Sequence, residues 1–203
     1  MVYIYLMLSK SAQTKQFIIE KAAPIFNKKG FAATSMNDIL EATGLAKGGV
    51  YGNFTSKEEI ALMAFEYANE CLITALANTI RREVLASDKL IAIFNFYHNY
   101  SVYPVLEGGC PLLNTAIDAD FNFPELKEKA AIALTKMLNS LEFIINRGIA
   151  TREFRKKVNA KAEANLIFSV IEGGMMMSRL NNEPKYLNDL LAYLKRHIKN
   201  FKK

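Results

Sequence analysis

Apolar residues recur at three- and four-residue spacing along nearly the whole chain, as in Phe17, Ile18, Ala22, Ile25 and Phe26. No stretch sustains the alternation of a half-buried strand, so the pattern predicts an all-α protein. The first helix runs from about Ser11 to Lys29 and stops at Gly30, since glycine accepts the left-handed backbone at a helix end. Pro24 inside it removes a backbone bond and is expected to bend it. A second, short helix opens at Ser35, whose hydroxyl can cap it while Asp38 answers the cap's own amide, and it ends at Gly44. A third short element holds Val50, Tyr51 and Phe54. Ser56 and Glu59 repeat the reciprocal cap and open a long fourth helix through about Ile80 or Val84. Leu90 to Tyr103 forms the fifth helix, broken by Pro104 and the glycine-rich turn at Gly108 and Gly109. Leu112 to Ala119 is a short sixth. Pro124 suits the first turn of a long seventh helix that ends near Gly148. Residues 149–159 read as a basic linker before an eighth helix, about Ala160 to Leu180, and a ninth, Lys185 to Phe201.

The chain of 203 residues is 51% hydrophobic and 23% charged, the balance of a soluble domain with a sizeable core. The apolar run from Met1 to Leu8 falls far short of the roughly 20 residues needed to span a bilayer. It also lacks the basic start and cleavage site of an export signal, so the expectation is a cytoplasmic protein with no membrane partner, in which Met7 rivals Met1 as the start. Two cysteines without a CxxC pair and two histidines indicate neither a disulfide framework nor a metal site. Asp118 and Asp120 do not pair as ligands, because residues i and i+2 point apart on a helix. Charge is unevenly spread: residues 1–57 carry 7 Lys against 3 acidic side chains, residues 58–146 have a net charge of −6, and residues 147–203 a net charge of +8. A polyanion would meet basic ends and an acidic middle, which keeps nucleic acid in view.

Two short helices joined at a glycine, with the second within a few residues, have the form of a helix-turn-helix. In that motif one helix crosses the DNA backbone while its partner, here Lys47 to Phe54, offers side chains to base edges in the major groove. The run from Gly30 to Ile60, with its Gly-Phe, the Thr34–Ser35 cap, the Asp38–Ile39 pair, the Ala-Thr-Gly turn, Lys-Gly-Gly-Val-Tyr, Phe54 and Ser-Lys-Glu-Glu-Ile, resembles the TetR family of bacterial transcriptional regulators. Gly108 to Asp120 also resembles a branch of that family. The resemblance implies a three-helix DNA-binding domain at residues 1–57 and a helical-bundle domain for effector binding and dimerisation at residues 58–203. It places Lys47, Tyr51 and Lys57 on phosphate or backbone, Thr34 and Ser35 where hydroxyl contacts to phosphate are made, and Asn53 on a phosphate or an adenine edge. Ala46 replaces the usual capping serine, removing a cap of roughly 1 kcal/mol. Gly48, Gly49 and Gly52 put three glycines into one short helix at about 1 kcal/mol each. Either the backbone there approaches the sugar-phosphate strand closely, or the helix is a frayed turn held by its neighbours. With few base-reading side chains, specificity would lean on DNA shape.

In the body, the eighth helix aligns Leu166, Val170, Gly173 and Met177 on one stripe, and the ninth adds Leu187, Leu191 and Leu194. The resemblance makes these a homodimer interface; a core within one chain explains the same stripes. Phe65, Phe94, Tyr97, Met137, Phe168 and Met176, with His98, Asn114, Asp118 and Glu172 as polar handles, suit an adaptable apolar effector site or ordinary packing. The function expected is a ligand-responsive regulator with double-stranded operator DNA and a small-molecule effector as partners, without a cofactor. A helical interaction module that does not bind DNA is the alternative. An enzyme using Glu172, Asp118 and His98 is disfavoured, because no nucleophile, base and orienting group are grouped and no cofactor loop is present.

Overall fold

The computed structural model describes residues 9–119 and 123–202. The Met1–Leu8 run, the choice between Met1 and Met7, and Asp120 lie outside the described residues. Among the described residues nine α-helices follow one another: α1 Lys10–Lys29, α2 Met36–Thr43, α3 Lys47–Tyr51, α4 Lys57–Ile80, α5 Ala86–Tyr100, α6 Pro111–Asp118, α7 Pro124–Ala150, α8 Ala160–Asn181 and α9 Lys185–His197. A 3₁₀ turn closes the series at Ile198–Phe201. Pro24 does not interrupt α1, which continues through it to Lys29. The α5 helix starts four residues earlier than its apolar pattern suggests, because its cap is distant in sequence: the Glu153 carboxylate accepts the amides of Ala86 (2.7 Å) and Ser87 (2.9 Å). Burial opposes ionisation of Glu153, but the hydrogen bonds from Ser87 and Ala86 outweigh it and hold the carboxyl below its usual range.

The chain forms two compact units, one of residues up to Leu72 with Leu106–Ala131, the other of Ile73–Val105 with Ile132–Lys203. In the first, Ile18, Ile19 and Ala22 of α1, Ile39 of α2, Val50 and Phe54 around α3, and Ile60 of α4 share one core. By length and composition α4 is apolar enough to cross a membrane, yet Ile60, Ala61, Ala64 and Ala68 are buried in protein, as in a core helix. Ser35 caps α2 reciprocally with Asp38. At α4 the device is shifted by one residue: Ser56 accepts the Glu59 amide, whereas the Glu59 carboxylate takes the amide (2.8 Å) and hydroxyl (2.9 Å) of Thr55.

In the second unit α8 and α9 form a hairpin through Asn182, which adopts the left-handed conformation. Gly174 admits α9: a Cβ there would come within 2.9 Å of Leu187. The Leu187 amide donates to the Ser178 hydroxyl at 2.9 Å. Leu187, Leu191 and Leu194 are 0–3% exposed within the single chain. The expectation that these three face a second protomer is therefore corrected: they are the apolar stripe that packs α9 onto its own bundle. Leu166 and Met176 lie on the exposed side of α8, with Val170, Gly173 and Met177 half-buried beside them. The 149–159 segment is basic at its surface but carries a buried anchor, Phe154. Its ring fills the space left by Gly148 and stands edge-on to Phe201 at 5.5 Å. The Arg155 amide donates to the Phe201 carbonyl at 2.7 Å.

Candidate nucleic-acid interface

The α3 helix is five residues long with no side-chain cap at Ala46, too short to persist alone. Val50 and Phe54 fix it to the first core. That leaves Lys47, Gly48, Tyr51 and Gly52 exposed, with Tyr51 at 52%. The three glycines do different things. A Cβ at Gly48 would meet nothing within 4 Å, one at Gly49 would touch only Leu45 at 3.4 Å, and one at Gly52 would strike the Gly48 carbonyl at 2.8 Å. Gly52 is thus needed by the local backbone, whereas Gly48 leaves an open notch on the outer face.

The remaining residues expected on DNA are held within the unit. Asn53 closes the end of α3: its amide donates to the Gly49 carbonyl (2.8 Å) and its oxygen accepts from the Ser11 hydroxyl (3.1 Å). Thr34 is 1% exposed and donates its hydroxyl to the Gly30 carbonyl at 2.7 Å. Ser35 is exposed but donates to Asp38 (2.8 Å) while accepting the Asp38 amide. Lys57 reaches inward, donating to the carbonyls of Phe31 (2.9 Å) and Thr34 (2.8 Å) with its ammonium 4.2 Å from the Phe31 ring centre. Lys15 pairs with Glu59 at 2.9 Å and Lys29 with Asp38 at 2.6 Å. The Lys15 ammonium, helped by the Thr55 hydrogen bonds, holds Glu59 down to about 2. The Lys29 ammonium and the amide and hydroxyl of Ser35 hold Asp38 well below the carboxylate range. With Lys57 turned inward and Lys15 and Lys29 paired with carboxylates, Lys47 and Tyr51 flank a side-chain-free strip of backbone at the exposed end of a helix pair.

The residues expected around an effector separate into two groups. Tyr97, Met137 and Phe168 line one cavity of about 100 Å³ in the second unit, with Ile73, Leu76, Ile93, Leu141, Ile144 and Ile171. No charged side chain among the described residues lines it. Phe94 is buried but does not line this space; Met176 is exposed; Glu172, half-buried, follows Ile171 on α8; and His98 meets Asn188 through Nδ1 at 2.6 Å. Phe65, Asn114 and Asp118 belong to the first unit, where they surround the end of α1 with Asn27, Gly30 and Phe31. The aliphatic lining escaped notice because isoleucine and leucine at helical spacing read as plain core. Asn27 was missed too, although a polar residue four after Ala23 on the buried side of α1 was its signal.

Residues 18–64 match the family model described as bacterial regulatory proteins, tetR family, and residues 86–194 match the tetracyclin repressor-like C-terminal domain. The crystal structure of a TetR-family transcriptional regulator from Cytophaga hutchinsonii is 35% identical, with a TM-score of 0.91, over 96% of this chain and 98% of that one. The fatty acid metabolism regulator protein of Bacillus subtilis is 24% identical over 86% of this chain and 87% of its own length. The B. subtilis regulator FadR, crystallised in complex with stearoyl-CoA, shares the fold at 20% identity, with a TM-score of 0.70 over 88% of this chain and 96% of that one. The helix-turn-helix, the helical body and these relatives together establish that the chain belongs to the TetR family and is a ligand-responsive, DNA-binding transcriptional regulator.

Proposed function

We propose that the protein is a cytoplasmic repressor that leaves a palindromic operator when a small, uncharged, apolar effector enters the second unit. Residues 1–57 read the operator, and residues 58–203 hold the effector and pair two protomers. The observation that carries the DNA contact is the exposed Lys47–Gly48–Tyr51 face. The notch at Gly48 lets backbone approach a phosphate strand that a side chain would hold off. Few side chains there can reach base edges, so groove width and deformability supply much of the discrimination.

The effector class follows from the lining of the cavity. With no ion pair to offer, it excludes a charged group, and at about 100 Å³ it is smaller than the apolar cavity of about 150 Å³ that admits benzene elsewhere. An acyl-CoA head group of the kind bound by FadR finds no counter-charge in it; an alkyl chain end suits it. Pairing is supported by the outer face of α8, where Leu166, Val170, Gly173, Met176 and Leu180 continue at helical spacing and Leu180 is 75% exposed. Two reading helices placed one helical turn apart, about 34–36 Å, then match a palindrome.

The test is a gel shift with the intergenic DNA upstream of the protein's own gene, run at about 50 and 200 mM salt. Phosphate-dominated binding weakens steeply over that interval. Absence of a shift, or a shift indifferent to salt, would overturn the reading.

A further inference from the structure

The end of α1 is one of the most heavily bonded places in the first unit, and most of the bonds come from a segment about 80 residues away. Asn27 donates from Nδ2 to the carbonyls of Glu107 (2.8 Å) and Gly109 (2.9 Å). Asn114 of α6 donates back to the Asn27 backbone carbonyl (2.9 Å), the Asn27 side-chain oxygen (3.0 Å) and the Gly108 carbonyl (2.7 Å). The Asn27 carbonyl belongs to the last turn of α1, where no intrahelical donor remains. At the other end of α6, Asp118 accepts the amide of Phe31. Glycine is required on both sides of this joint: a Cβ at Gly108 (φ +102°) would stand 2.8 Å from the Asn27 carbonyl, and one at Gly30 (φ +81°) 2.8 Å from the Asp118 carboxylate.

The turn from Gly30 to Ser35, held here by α6, carries the reading pair. The Phe31 and Thr34 carbonyls hold Lys57 at the start of α4, the Thr34 hydroxyl closes on Gly30, and Ser35 starts α2. Bonds to backbone atoms fix direction as well as distance, so a shift of α6 reorients the turn rather than merely loosening a contact.

We infer that Asn114 and Asp118 of α6 are positioning residues for DNA recognition, acting through Asn27 and Phe31 to set the pitch at which the Gly30–Ser35 turn presents α2 and α3. This rests on the DNA-binding reading above and assigns to the two residues a role other than that of effector handles.

The test uses the full chain and a duplex that the wild-type protein selects from a random library. Asp118→Ala and Asn114→Ala each remove a tie that fixes the Gly30–Ser35 turn, so that binding must re-order the turn, and about tenfold weaker binding is expected. Asp118→Asn keeps an acceptor for the Phe31 amide and restores binding to near the wild-type level. Hydrogen exchange of the amides from Phe31 to Leu40 accelerates in the alanine variants, while that of α8 is unchanged. The inference is overturned if the folded alanine variants bind within about fivefold of wild type, whatever their melting temperatures, or if Asp118→Asn binds as weakly as Asp118→Ala. Should Asn114→Ala not fold, the Asp118 pair decides alone. A wild-type protein that selects no duplex defeats the DNA-binding reading itself, which is a different result from a duplex bound equally by wild type and variants.

Discussion

A Cβ at Gly48 would meet nothing, so alanine there costs no packing and removes the penalty of about 1 kcal/mol that glycine imposes on a helix. Gly48→Ala is therefore expected to raise the melting temperature by a few degrees and to weaken operator binding by about tenfold, as a methyl group intrudes on the strand. Thermal unfolding beside a gel shift checks both halves, and unchanged affinity would refute the close approach. The lysines divide in the same way. Lys47→Ala should lower the salt slope of binding by about one. Lys57→Ala should leave that slope alone and cost about 2 kcal/mol of stability, because two carbonyls lose a charged donor. Sequence identified both as lysines of a DNA-reading segment. It could not tell them apart, because which way a long side chain turns depends on the Phe31 and Thr34 carbonyls, placed by a turn some 25 residues earlier.

At the level of elements, the helices were legible wherever their ends are fixed locally. Ser35 with Asp38, Gly30 and Gly44 mark their boundaries through neighbours within one turn. The start of α5 was illegible because its cap, Glu153, lies 67 residues away. The local cap at α4 gives a pH prediction. Glu59 is held to about 2 by Lys15 and Thr55, below its ordinary 4.5. Its stabilising contribution is complete above about 4.5 and is lost as pH falls toward about 2. Glu59→Gln should consequently show a shallower loss of melting temperature between pH 5 and 3 than wild type, with the largest difference at pH 7 and little at pH 2. The cavity offers a second test. Xenon, used as a probe, is expected to raise the melting temperature of the wild type and not of Ala77→Phe, whose ring would occupy the space that Ala77 borders. An equal shift in both would place the apolar site elsewhere.

Across the whole molecule, the pairing face proposed on α8 allows pairing to be tested apart from folding. A side chain at Gly173 has open space around it, so Gly173→Arg should leave the helical circular dichroism intact while reducing the mass seen by light scattering to that of one chain. Operator affinity should then fall by about 10²- to 10⁴-fold, as two linked contacts become one. A dimer that survives this change would move the interface off α8. The closing residues carry a different consequence. Phe201 is tied both to the Phe154 ring and, through its carbonyl, to the Arg155 amide. Exopeptidase digestion from the carboxyl end should stall at Phe201 in the native protein. Forced past that point, it would uncover Phe154 and unfold the bundle from its far end, so a truncation ending at His197 should be rescued by adding back the four residues Ile198–Phe201 as part of the chain and not as a free peptide.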